Sequence, residues 1–220
     1  MSIEVENLYD YDAIRQLRDA TMFVAKVDSA TLVLGSSQPI DVLELDRLDS
    51  IVLRRRRGGG GLVLLRPGDL WIDWWIPQGD ERWSNDVHVS SIRSGKWWQS
   101  ALNPFVNGVA RVHNGSLEGD PALRVVCFAG RGPGEVFVDA RKAVGLTQWR
   151  VREGIFVSTV IHGSPSKEIV DLLREPPPGI LEALDHHVLS TLGVGEPEDL
   201  LEDLIKVSGP WRMSPSPLNN

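Results

Sequence analysis

The sequence predicts an α+β fold, and three observations point to it. Segments of strand and helix character come in mixed order, without the strand-helix-strand alternation of a doubly wound parallel sheet. The strand-like runs are short and separated by glycine- and proline-rich turns, whereas the helical patterns collect toward the C-terminal end. The chain has 220 residues, 42% of them hydrophobic and 24% charged, which suits one globular domain over residues 1–207 followed by a flexible tail from 208 to 220.

Taken in order, Tyr9 to Lys26 reads as a helix, with Ile14, Leu17, Phe23 and Val24 near helical spacing and Asp10 and Asp12 at its positive start. Strands are expected at Ala30–Leu34, Asp41–Leu45, Ser50–Leu53, Leu62–Leu65 and Leu70–Ile76, broken by Gly58-Gly-Gly-Gly61 and by the turn Arg66-Pro-Gly68. Ser84 to Leu102 reads as a helix capped by Ser84 or Asn85, with Gly95 as its weak point. Further strands are expected at Arg111–His113, Leu123–Phe128, Glu135–Val138, Ala143–Arg152 and Phe156–Ile161. Three helices close the pattern: Ser166–Arg174, Gly179–Leu192 and Glu196–Val207, the last with Pro197 at the favoured first position. Pro176-Pro-Pro178 separates two of them, and no repeat of fixed period is present.

Composition excludes several classes. No apolar run approaches the roughly 20 residues of a membrane span. The opening Met1-Ser-Ile-Glu-Val-Glu-Asn7 lacks the basic start and apolar stretch of a secretory signal, so a cytoplasmic protein is expected. A formal charge of -7 argues against nucleic acid as a partner. The single cysteine, Cys127, rules out an internal disulfide and is either a buried small hydrophobe or a reactive thiol. Eight tryptophans, most of them between Trp71 and Trp98, are either core packing or the lining of a long apolar pocket.

Two clusters carry possible chemistry. Arg54-Arg-Arg-Arg57 runs into four glycines, joining fixed positive charge to a backbone free to turn its N–H groups toward a phosphate or carboxylate; a solvated basic turn is the alternative. No Gly-Lys-Ser/Thr closes the run, and Gly130-Arg-Gly-Pro-Gly134 lacks dinucleotide-binding spacing. The second cluster, Asp139-Ala-Arg-Lys142, falls at the tip of an expected hairpin, where Lys142 can hold an anion as a point charge. Asp120, Glu135 and Asp139 are candidate carboxylates for magnesium, and His186-His187 reads as a solvated helical surface.

Together the clusters resemble the lipoate-protein ligase and octanoyltransferase family, whose catalytic domain is shared with biotin protein ligases. The resemblance rests on Thr31-Leu-Val-Leu-Gly-Ser-Ser-Gln38, Arg55-Arg-Arg-Gly-Gly-Gly-Gly-Leu-Val63, Gly68-Asp-Leu70 and Arg141-Lys-Ala-Val-Gly-Leu-Thr-Gln148 with Arg150. It covers roughly residues 30 to 173 and implies mixed, largely antiparallel sheets flanked by helices. The family's glycine loop usually reads Arg-Arg-x-Ser/Thr-Gly-Gly-Gly-Ala-Val, and its lysine motif Gly-Arg-Lys-x-x-Gly-Ser-Ala-Gln.

Carried over, the resemblance implies that Gly59, Gly60 and Gly61 lie over the acyl or acyl-adenylate group, with Arg55, Arg56 and Gly145 also binding, and that Lys142 is the catalytic lysine. It implies ATP and Mg2+ as cofactors and lipoate or octanoate as substrate. The expected acceptor is a lipoyl-carrier domain, such as glycine cleavage H protein or a 2-oxoacid dehydrogenase acyltransferase subunit. In a second branch, Cys127-Phe128, Glu135 and Lys142 match an octanoyltransferase that takes the acyl group from acyl carrier protein onto a cysteine thiolate, without ATP. Departures are Gly58 for the loop Ser/Thr, Leu65 for a histidine, Leu146-Thr147 for Ser-Ala and Val157-Ser-Thr159 near an expected His-Gly; the accessory domain of some ligases is absent or reduced to the last helices. A homologue that binds an acyl ligand or carrier without turnover is the third reading.

Overall fold

The computed structural model describes residues 5–163, 167–187 and 197–216, and the side chains of His186 and His187 lie outside that description. The order is α1 (Tyr11–Ile14), β1 (Thr21–Lys26), β2 (Thr31–Leu34), β3 (Val52–Arg55), β4 (Val63–Leu65), β5 (Leu70–Pro77), α2 (Val87–Leu102), β6 (Ala110–Val112), β7 (Val136–Val138), β8 (Arg141–Val151), β9 (Gly154–Ile161), α3 (Ile180–His187), α4 (Pro197–Ser208) and β10 (Arg212–Pro215). Among the described residues these strands form a seven-stranded sheet, β10-β1-β5-β9-β8-β7-β6, and a three-stranded sheet, β3-β2-β4. Pairing is antiparallel except between β1 and β10 and between β2 and β3. The fold is α+β with mixed, largely antiparallel sheets, as the sequence predicts.

Strand β5 explains how the layers assemble. Its successive side chains point to opposite faces, and both faces are covered. Trp71 and Trp75 join one core, with Leu32, Leu64, Phe128, Phe156 and Leu184. Ile72, Trp74 and Ile76 join a second core against Trp98 of α2 and Leu204 of α4. A strand buried on both sides reads as a nearly continuous apolar run, which is why Leu70–Ile76 was legible. Trp71, Trp74, Trp75 and Trp98 are fully buried in these cores.

Several elements differ from the sequence reading. The N-terminal helix is only Tyr11–Ile14, and Thr21–Lys26 is a strand because Phe23 and Ala25 face one core while Met22 faces the other. Asp41–Leu45 and Leu123–Phe128, expected as strands, are occupied by short 3-10 turns at Ile40–Val42, Leu45–Arg47, Pro121–Val125 and Cys127–Ala129. Asp86 caps α2, accepting from the amides of His88 and Val89, in place of Ser84 or Asn85. Gly95 is required there: a Cβ would stand 2.2 Å from the Gly134 carbonyl oxygen. Lys167–Leu172 is 3-10 helix, and its expected cap Ser166 is outside the described residues. The segment expected as a flexible tail includes β10, held in register with β1 from Thr21↔Arg212 to Val24↔Pro215. No described helix is long and apolar enough to cross a membrane.

Candidate functional site

The site is built where the two sheets meet. Strand β3 delivers the arginines, and the chain then turns through the four glycines into β4. Gly61 cannot carry a side chain, because a Cβ would lie 2.4 Å from the Arg124 carbonyl oxygen and 2.7 Å from the Cys127 amide nitrogen. Gly60 has φ +88, a left-handed conformation that costs glycine little. The loop thus passes backbone against backbone over the Pro121–Ala129 segment, fixed by Leu62 N–H to Val125 O and Cys127 N–H to Leu62 O.

The arginines expected beside a ligand are bonded to the protein itself. Arg56 is buried under the loop, donating through Nη2 to Gly59 O at 2.8 Å and Gly61 O at 2.7 Å. Arg55 donates through Nη1 to Gly35 O at 2.9 Å and Gln38 O at 2.6 Å, fastening the turn after β2. Arg56 thus braces the glycine loop from within, while Arg55 braces the neighbouring turn after β2. Gly145 packs against Phe128, whose ring carbon would be 3.0 Å from an added Cβ.

Lys142 follows the two-residue turn of the β7–β8 hairpin, Asp139-Ala140, both with positive φ, as a type I′ turn demands. The turn sets Arg141 opposite Val138 and Lys142 opposite Phe137, and a register shift just beyond, between Val136 and Phe137, sets Val144 opposite Val136. The Lys142 side chain is fully buried, with Nζ donating to the Cys127 carbonyl oxygen at 2.8 Å and paired with Glu135 Oε2 at 2.8 Å. Glu135 also accepts from the Gly132 amide at 2.6 Å. Burial raises the Glu135 carboxyl pKa, against the pull of Lys142 and the amides. Burial likewise raises the Cys127 thiol, with Lys142 opposing it.

A cavity of about 370 Å³ opens over these groups. Gly59, Gly60 and Gly61 form part of its wall, Glu135 and Cys127 another part, and Lys142 stands directly behind those two. Val87, Val126, Leu117 and Leu146 give it an apolar side, and Arg124 and Arg131 bring positive charge. No tryptophan lines it, so the tryptophans serve the cores. Gln148 closes one corner, its Nε2 donating to Ser91 Oγ at 2.6 Å and its Oε1 accepting from Arg150 at 2.8 Å, which ties β8 to the start of α2. Of the candidate magnesium carboxylates, Glu135 reaches the cavity, whereas Asp120 caps a turn and Asp139 is exposed in the hairpin. Among the described residues no three His, Cys, Asp or Glu side chains cluster as a metal cage.

The structure brings the glycine loop, Cys127 and Glu135 together on one cavity, with Lys142 directly behind them. The sequence reading passed over Arg124, Arg131 and Leu117, because no local pattern marks an irregular segment as a cavity wall. It treated Thr147 only as a departure; the structure sets its hydroxyl 3.0 Å from Gly59 O.

No protein-family model matches the chain, and no curated relative does. Solved structures do. A lipoate-protein ligase A bound with ATP superposes with a TM-score of 0.74 at 15% identity, over 94% of this chain and 82% of that one. A Thermoplasma acidophilum bi-partite lipoate protein ligase, solved in a study with its E2 lipoyl domain, gives 0.70 at 15% identity, over 96% and 88%. A T. acidophilum protein assigned as a lipoate protein ligase, with bound lipoic acid, gives 0.72 at 13% identity, over 97% and 89%. The chain therefore has the fold of the lipoate-protein ligase catalytic domain.

Proposed function

We propose that the protein is a lipoate-protein ligase-like enzyme, attaching lipoate or octanoate to a lysine of a lipoyl-carrier domain through an acyl-adenylate. One observation carries the reading: the glycine loop and Glu135, with Lys142 paired behind it, border a single cavity of about 370 Å³, within the range of small-molecule sites. The apolar side takes the acyl chain. The acyl carboxylate competes with Glu135 for the Lys142 ammonium, while Arg124 and Arg131 offer charge to phosphates. In the first step a carboxylate oxygen attacks the α-phosphorus of ATP and pyrophosphate leaves. In the second the acceptor lysine amine attacks the acyl carbonyl, AMP leaves with the bonding pair, and the amine proton goes to solvent. Lys142 and the loop amides stabilise negative charge in both steps. Mg2+ fits as an ion arriving with the nucleotide, offsetting phosphate charge, since nucleotide magnesium keeps waters and needs few protein ligands.

The ATP-dependent route is favoured over the cysteine route by the state of Cys127. A thiol nucleophile works as thiolate, and here burial raises its pKa. The carbonyl of Cys127, rather than its sulfur, holds Lys142. The decisive measurement is the intact mass of a lipoyl-carrier domain after incubation with the protein and octanoate, with and without ATP and magnesium. An octanoyl mass gain only with ATP supports the ligase. A gain from octanoyl-acyl carrier protein without ATP replaces it by the transferase.

A further inference from the structure

The glycine at 58 leaves a space that another residue fills. A Cβ built on Gly58 would lie 2.7 Å from Thr147 Cγ2 and 2.9 Å from Thr147 Oγ1, closer than real atoms sit. A side chain at 58 and threonine at 147 therefore exclude one another unless something moves. Thr147 comes from β8, lines the cavity, and donates its hydroxyl hydrogen to Gly59 O at 3.0 Å.

That carbonyl is held from two sides. Arg56 Nε and Nη2 reach it at 3.2 and 2.8 Å from within the protein, and Thr147 from the neighbouring strand. A Cβ at Gly59 would meet nothing within 4 Å, so no neighbour packs against that side of the residue, and its carbonyl is held by hydrogen bonds. Because the peptide is planar and trans, the Gly59 C=O and the Gly60 N–H point in opposite directions. Anchoring the oxygen aims the amide.

We propose that Thr147 is a positioning residue of the glycine loop. It is a hydroxyl supplied from β8 in place of a side chain at 58, and it sets the affinity of the loop for the acyl carboxylate. The identity of that anion rests on the ligase reading above.

Thr147→Val keeps the shape and removes the donor, while Thr147→Ser keeps the donor. In ATP-dependent octanoyl transfer, T147V is expected to raise the KM for octanoate about three- to tenfold, the worth of one hydrogen bond, with kcat within about twofold. T147S is expected to restore wild-type KM. An unchanged KM in T147V, or a T147S as impaired as T147V, overturns the proposal. The spatial exchange has its own readout in thermal unfolding. Gly58→Ser is expected to lower Tm by about 2–6 °C beside Thr147, and by much less in the Thr147→Ala background. Strictly additive losses overturn the exchange. Should wild-type protein transfer nothing from octanoate and ATP, the ligase reading falls, and the thermal cycle alone then decides whether Thr147 occupies the place of a side chain at 58.

Discussion

Two buried carboxylates in this protein have opposite company. Glu135 faces an ammonium at 2.8 Å and an amide at 2.6 Å, beside a cavity. Asp73, on β5 in the middle of the large sheet, is also fully buried, but its immediate donors are neutral: the Tyr9 hydroxyl and the Trp71 indole N–H, the latter at 2.6 Å. Burial pushes the Asp73 pKa up from 3.8 to about 7, with Ser158, Tyr9, Trp71 and Arg56 pulling it back. Burial raises the Glu135 carboxyl as well, but there an adjacent ammonium opposes the shift. A carboxylate with neutral donors takes up a proton near neutrality and serves as a packing group.

The largest break in this comparison comes from Lys142→Ala. It leaves Glu135 buried without its cation, and a loss of about 3–5 kcal/mol in urea unfolding is expected. Acyl transfer, measured on whatever folded protein remains, is expected to fall roughly 10²–10³-fold. Transfer at the wild-type rate would remove Lys142 from the mechanism.

Asp73→Asn tests the other carboxylate, with an effect confined to stability. The native group holds its proton between its unfolded value of 3.8 and about 7, so folding free energy declines as pH rises through that window. Removing the titration should flatten the decline, so the stability of the variant relative to wild type should rise between pH 4 and pH 7. Each unit of pKa shift corresponds to about 1.4 kcal/mol. Parallel stability curves for the two proteins from pH 4 to 8 would show that Asp73 does not titrate there.

The smallest effect is expected from Cys127→Ala. The sulfur is dispensable if the backbone carbonyl is what holds Lys142. ATP-dependent transfer should stay within about twofold of wild type, read by the same mass assay. Loss of transfer, with an acyl-cysteine detectable in the wild-type chain, would instead assign the nucleophile to the thiol.

Much of the large sheet was legible because β5, β8 and β9 are long runs whose burial is dictated by their own side chains. Pro121–Ala129 was not. Its apolar residues suggest a strand, but Asp120 accepts from the Ala122 amide and turns the chain into 3-10 structure against the glycine loop. At the site, glycines and a lysine could be read as loop and anion holder because their chemistry is in the residue type. The inward turn of Arg56 could not, since which of four consecutive arginines goes under the loop depends on the register of β3 against β2. Thr147 could not either: its partner Gly59 is 88 residues away, and no local pattern reports such a contact.

Strand β10 bears on how the molecule behaves in crowded solution. It occupies the rim of the large sheet, covering the hydrogen-bonding edge of β1, whose Thr-Met-Phe-Val sequence favours further strand addition. In its place the rim presents Arg212, exposed and paired with Asp19, and Pro215, which has no N–H to donate. Strand β10 acts as a hem on the fabric: without it, β1 would offer a raw edge to which another chain can be sewn.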